Sequence, residues 1–135
     1  MPVELRNITG RPAPQGFSHV SIATGAQRLI HMAGQVGTDE SGNVVGGGLG
    51  AQVTQAMANV GLVLDEAGAT VADVVKLTVY VRHWNPTMFE EFGAGMFAAR
   101  ETRPWPDVPV TLIGVESLFT PEMMVEIEGV AVVGG

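Results

Sequence analysis

Residues 73–86 read Asp73-Val74-Val75-Lys76-Leu77-Thr78-Val79-Tyr80-Val81-Arg82-His83-Trp84-Asn85-Pro86, and this stretch decides the fold. Side chains alternate across a strand with a period of two. Over Val74–Arg82, Val75, Leu77, Val79 and Val81 therefore make an apolar face, and Lys76, Thr78 and Tyr80 make the opposite one. Asn85-Pro86 then starts a helix, with Asn as N-cap and Pro at the first helical position, where its missing N–H is not needed. Met88, Phe89, Phe92, Met96 and Phe97 continue at helical spacing, and the helix ends near Arg100.

Upstream, Leu49, Val53, Ala56, Met57, Val60, Val63, Leu64 and Ala67 recur with a helical period, which predicts a helix over 50–67 capped by Gly68. Before it, Phe17–Thr24 and Leu29–Val36 read as two strands joined at hairpin length by Gly25-Ala26-Gln27-Arg28. In the second, Ile30, Met32, Gly34 and Val36 share one face, and His31, Ala33 and Gln35 the other. Residues 1–16 carry Pro2, Gly10, Pro12, Pro14 and Gly16 and read as an extended lead-in. Residues 37–50 are a turn-rich loop with a short strand at Val44-Val45. Its Gly46-Gly47-Gly48 would cradle phosphate only with a helix N-terminus and a Lys or Ser/Thr behind it, and the next basic residue is Lys76.

Downstream, Pro104, Pro106 and Pro109 hold an extended segment, and Val110–Val115 and Met123–Val133 are two further strands. The last puts Met123, Val125 and Ile127 on one face and Met124, Glu126 and Glu128 on the other. The order is β-β-α-β-α-β-β, an α+β domain with two helices on one face of a mixed, mostly antiparallel sheet.

Composition narrows the function. The chain has 135 residues, enough for one domain over 1–135 and too few for two. It is 46% hydrophobic and 16% charged, a globular composition. No cysteine is present, which excludes disulfides, thiol nucleophiles and cysteine metal sites. Net charge is −7, with six arginines and one lysine, which argues against nucleic-acid binding. A Schiff-base mechanism would have to use Lys76 or the N-terminal amine. Met1-Pro2-Val3-Glu4-Leu5-Arg6 lacks the pattern of a signal peptide, and no apolar run approaches the roughly 20 residues of a membrane span. The expectation is a soluble cytoplasmic protein with no membrane partner.

The sheet face away from the helices would carry His19, Ser21, His31, Ala33, Gln35, Lys76, Thr78, Tyr80, Glu126 and Glu128. Small and polar residues mixed with Tyr suit partial burial against another subunit, and symmetric homo-oligomers are the usual solution.

Four segments then line up with one family: Gly16-Phe17-Ser18-His19, Met32-Ala33-Gly34-Gln35, Asp73–Val81, and Val125-Glu126-Ile127-Glu128-Gly129-Val130-Ala131. Together they resemble the Rid family of reactive-intermediate deaminases, also called YjgF or L-PSP endoribonuclease-like, over about residues 10–133. The resemblance implies a chorismate-mutase-like protomer, a homotrimer, and small-molecule sites in the clefts between subunits. It implies hydrolysis of a 2-imino acid or its enamine tautomer to a 2-keto acid and ammonia, with no metal or organic cofactor.

Carried over by position, Glu126 matches the glutamate that positions water, and Gly34 the glycine where a ligand approaches the backbone. Phe17 replaces a tyrosine, Ser18 follows it, and Ala33 stands where many members carry Ser. Val110 in Val108-Pro109-Val110-Thr111 replaces the arginine that binds the substrate carboxylate, with Thr111 left as a possible donor and Leu112 in place of Cys. This marks a divergent subgroup. His19 replaces a Gln and, near Glu126, would move protons at neutral pH. Arg100 and Arg103 read as surface or salt-bridged groups. A sharper expectation is that Arg103 swings into the cleft to replace the missing arginine. The alternative to a deaminase is a small-molecule-binding or stress-protective trimer without turnover, and the third reading is a ribonuclease.

Overall fold

Val74, Leu77, Val79 and Val81 are all buried in the computed structural model, which describes residues 3–134. The elements are β1 (Val3–Arg6), β2 (Val20–Ala23), β3 (Ala26–Val36), α1 (Gly48–Glu66), β4 (Val74–Arg82), α2 (Phe89–Ala99), β5 (Val110–Val115) and β6 (Val125–Gly134). Single 3-10 turns precede β4 and α2. The main sheet has the order β3-β6-β4-β5, antiparallel except for the parallel β4–β5 pair. Both helices pack on one face of it, as the alternation and helical spacing predict. Met57, Val60 and Leu64 of α1 and Phe92 of α2 join the strand residues in one core. Each such side chain contributes about 1.5–3 kcal/mol on burial.

Two expectations about the strands are corrected. The segment before β3 does not form a hairpin ladder with it. Instead β2 pairs antiparallel with β1, Val3 opposite Ala23 and Arg6 opposite Val20, as a separate two-stranded ribbon. The lead-in thus contains a strand, although its Met1 and Pro2 lie outside the described residues. The ribbon is fastened to the main sheet where Ser21 Oγ donates to the Val75 carbonyl at 2.6 Å.

The second correction concerns alternation. Between Val74 and Lys76 the β4–β6 register slips, so Val75 is the extra residue of a bulge and Val74 takes the core position. A second slip lies between Met32 and Gln35, where three steps on β3 oppose two on β6. The face assignment expected for β3 therefore holds through Met32 and inverts after it: Gln35 lies opposite buried Ile127, and Val36 opposite Glu126.

Local chemistry explains the helix ends. Asn85 Oδ1 accepts the Thr87 N–H at 2.9 Å, so the Asn-Pro start works as read, although its first turn is 3-10. Gly68 has φ 72° and closes α1: its N–H reaches the Asp65 carbonyl and the Ala69 N–H the Leu64 carbonyl. The Gly triplet does lead into a helix N-terminus, but Glu91 of α2 fills it, its Oε2 accepting the Gly50 N–H at 3.1 Å. Val44 forms only an isolated bridge to Thr38.

Two buried polar residues of α1 position the strands that matter for function. Asn59 Nδ2 donates to the carbonyls of Val36 and Thr38, each at 2.9 Å, fixing the end of β3. Gln52 Nε2 donates to the Glu122 carbonyl at 3.0 Å, and its Oε1 accepts the Met124 N–H at 2.9 Å, fixing the entry to β6. The helical spacing of the apolar residues gives no hint of these clamps.

Candidate functional site

The open face of the sheet reads across in rows. Glu126 of β6 lies opposite Tyr80 of β4, and Tyr80 opposite Ile113 of β5. One row along, Glu128 lies opposite Thr78, and Thr78 opposite Thr111. The two glutamates differ in what holds them. Tyr80 donates its hydroxyl to Glu128 Oε1 at 2.7 Å, and this bond, with some loss of water, keeps the phenol above its ordinary pKa. Among the described residues nothing hydrogen-bonds to the Glu126 carboxylate. It is half-buried and lies over Gly34, where a Cβ would stand 2.0 Å from its Oε2. The β3 bulge and the bare glycine together make the space this carboxylate occupies.

Lys76 Nζ donates to Thr111 Oγ1, which leaves the threonine hydroxyl hydrogen free to point elsewhere. Lys76 is thus the one lysine and is spoken for in this state; the N-terminal amine lies outside the described residues. Ala33 is exposed beside Gly34 on the bulge. Thr111, Gly34, Ala33 and Glu126 are therefore gathered on the open face, together with Tyr80, Glu128 and Lys76.

Other candidates sit elsewhere. Val110 lies opposite Leu77 and packs on the core, so its side chain is on the helix side of the sheet. There it joins Phe17 in the wall of a cavity of about 510 Å³ under α2. Ser18 is buried, its N–H on the Val108 carbonyl at 3.4 Å, which seats Phe17 against this wall. Arg103 is not brought to Val110. Its guanidinium makes two bonds to Asp65 of α1, at 2.9 and 2.8 Å, and lies over Gly61. Those bonds hold the Asp65 carboxyl below its usual range and raise the Arg103 pKa. The cation lining the cavity is Arg100, paired with Asp107.

His19 belongs to the ribbon. Its Nδ1 accepts the Ile8 N–H at 3.0 Å, its own N–H donates to Asn7 Oδ1 at 3.0 Å, and its ring stands edge-on to Phe17. A neutral imidazole that accepts at Nδ1 carries its proton on Nε2, so in this arrangement His19 offers a donor rather than a base. Among the described residues no three His, Asp or Glu side chains gather as a metal site, and no helix is long and apolar enough to cross a membrane.

Residues 9–133 match the family described as Endoribonuclease L-PSP, and the chain belongs to that family. Within it the chain is of the Rid and YjgF kind. YyfB of Yersinia pestis, a conserved Rid-family protein of unknown function, superposes with a TM-score of 0.85 at 36% identity, covering 98% of this chain and 100% of that one. The 2-iminobutanoate/2-iminopropanoate deaminase of Homo sapiens is 37% identical over 81 residues, 59% of each chain. That of Dermatophagoides farinae is 29% identical over 134 residues, 95% of this chain and 96% of its own. The alignments to a RutC family protein of Pyrococcus abyssi and to the human deaminase span only 58% and 59% of those relatives' lengths.

Proposed function

We propose that the chain is a hydrolytic deaminase that releases ammonia from a reactive imine or enamine, working as a homotrimer with its ligand in a cleft between subunits. The observation that carries this reading is the Glu126 carboxylate, half-buried over Gly34 and unbonded while its neighbour Glu128 is held by Tyr80. A carboxylate so placed takes a proton from water as the oxygen adds to the C=N carbon. The nitrogen takes that proton to give the carbinolamine; the hydroxyl proton then passes through the same carboxylate to nitrogen as the C–N bond breaks, and a carbonyl compound and ammonia leave. An enamine enters the same path after protonation at carbon. One water is consumed and no electrons are transferred. The names of the curated relatives support the reaction class, and Val110 in place of arginine argues for a substrate other than theirs.

The test is ammonia release from freshly generated imines, with and without a carboxylate, by the wild type and Glu126→Gln. The expected loss in the variant is about 100-fold or more. Unchanged turnover would remove Glu126 from the mechanism. A second reading, a binding protein without turnover, is favoured by the aromatic cavity, which holds no free base. It predicts ligand-dependent thermal stabilisation with no ammonia from any imine. The ribonuclease reading is disfavoured by the net charge of −7.

A further inference from the structure

Glu126 and Glu128 are two apart on β6 and stand on one face of it, yet their carboxylates part to opposite sides. Glu126 leans over β3, its Oε2 lying 2.0 Å from where a Gly34 Cβ would stand. Glu128 leans to β4, where its Oε1 accepts the Tyr80 hydroxyl at 2.7 Å. The register makes this choice of partner unexpected. Tyr80 lies directly opposite Glu126, and Glu128 lies opposite Thr78, one row along. An aromatic side chain reaches a diagonal neighbour as well as the one opposite, so the hydroxyl passes over the nearer carboxylate for the farther one. Both glutamates act on the phenol: the Glu128 bond is the largest cause of its raised pKa, followed by loss of water and then by the charges of Glu128 and Glu126. The other charged or titratable groups on this face are Lys76, bonded to Thr111, Arg82 two residues beyond Tyr80, and His31 opposite Val130. Among the described residues none of the three is paired with either glutamate.

We propose that Glu128 is a positioning residue for Glu126: by accepting the Tyr80 hydroxyl it holds that donor away from Glu126 and leaves the Glu126 carboxylate over Gly34, free to take a proton from water. A donor bonded to a carboxylate favours its charged form and makes it a weaker base. Without Glu128, the carboxylate left within reach of Tyr80 is that of Glu126, and a bond between them draws it off β3 toward β4. The proposal rests on the reading of Glu126 as the proton acceptor, but the place of the hydroxyl can be measured without that reaction.

Tyr80 is the only tyrosine of the chain, so an alkaline titration followed by tyrosinate absorbance reads this phenol alone. The wild type and Glu126→Gln should both titrate above the ordinary value of about 10, since Glu128 keeps the hydroxyl in each. Glu128→Ala should still titrate above it, because the hydroxyl moves to Glu126. The double variant Glu126→Gln/Glu128→Ala should return to it. Ammonia release should fall about tenfold in Glu128→Ala and recover in Tyr80→Phe/Glu128→Ala, which lacks the donor. A merely structural role for Glu128 gives no such rescue. Glu128 is exposed on the protomer, so its removal leaves the core intact, and circular dichroism checks that each variant is folded. A phenol at its ordinary value in Glu128→Ala would overturn the inference, since the hydroxyl then never reaches Glu126. So would full turnover in that variant, or a loss that Tyr80→Phe does not reverse. If the wild type releases no ammonia from any imine, the proposed reaction fails, and the titration alone decides whether Glu128 keeps the hydroxyl from Glu126.

Discussion

Gly34 shows how one missing Cβ sets a site. An alanine there would put its methyl 2.0 Å from Glu126 Oε2, a distance no real contact allows, so the carboxylate must swing away. The clash is with the far end of a flexible side chain. Gly34→Ala is therefore expected to cost only about 1–3 kcal/mol in urea-induced unfolding, while losing turnover as completely as Glu126→Gln. Retained turnover in that variant would mean the carboxylate position is irrelevant. The sequence marked Gly34 and Glu126 as site residues, but as a place for a ligand to approach. What approaches the glycine is the protein's own carboxylate. The bulge that brings them together was illegible, because alternation assumes an unbroken register. His19 was legible as a functional type, yet the Ile8 N–H that occupies its Nδ1 comes from a loop no periodicity describes.

Between elements, the Arg103–Asp65 pair clasps the segment after α2 to α1. Asp65 has a lowered pKa, so its contribution to stability is complete above the ordinary carboxylate pKa and is lost below it, as pH falls through the lowered value. Arg103 keeps its charge throughout. Denaturant midpoints of the wild type and Arg103→Ala should therefore differ near neutral pH and begin to converge only as pH falls below about 4, with salt reducing the difference. A difference that persists undiminished in acid would show that packing over Gly61, not charge, holds the segment. At this scale β4, β6 and both helices were readable, because buried elements carry a clean period. β1 and its pairing with β2 were not. Four-residue strands among prolines and glycines have too little period to read, and partner choice depends on chain closure rather than on pattern.

The molecule as a whole is two-layered. Helices cover one face of the sheet, while the face bearing Glu126, Tyr80 and Lys76 has no covering layer among the described residues, and Ile113 on it is 41% exposed. A sheet stabilised on one side only, with half-buried polar groups on the other, suits closure by identical subunits. Sedimentation equilibrium is expected to give three times the chain mass of 14.1 kDa. A monomer at micromolar concentration would rule out the intersubunit cleft. The polar face was readable as an interface candidate because alternation places Lys76, Thr78, Tyr80, Glu126 and Glu128 there, although His19, Ser21 and Gln35, read onto the same face, lie elsewhere; the number of subunits came only from the family resemblance.

The position of β6 between β3 and β4 has a consequence for how the protein is made. The strand that carries Glu126 supplies ladders to both neighbours, and it follows both of them in the chain. Until residues 125–134 emerge, β3 has no partner in the main sheet and α1 lacks one of the strands it packs on. Until then the nascent chain carries this unfinished surface, exposed to chaperones and proteases. The site and the closure of the sheet are then completed by the same ten residues, so a chain that has not finished folding cannot display its reactive carboxylate.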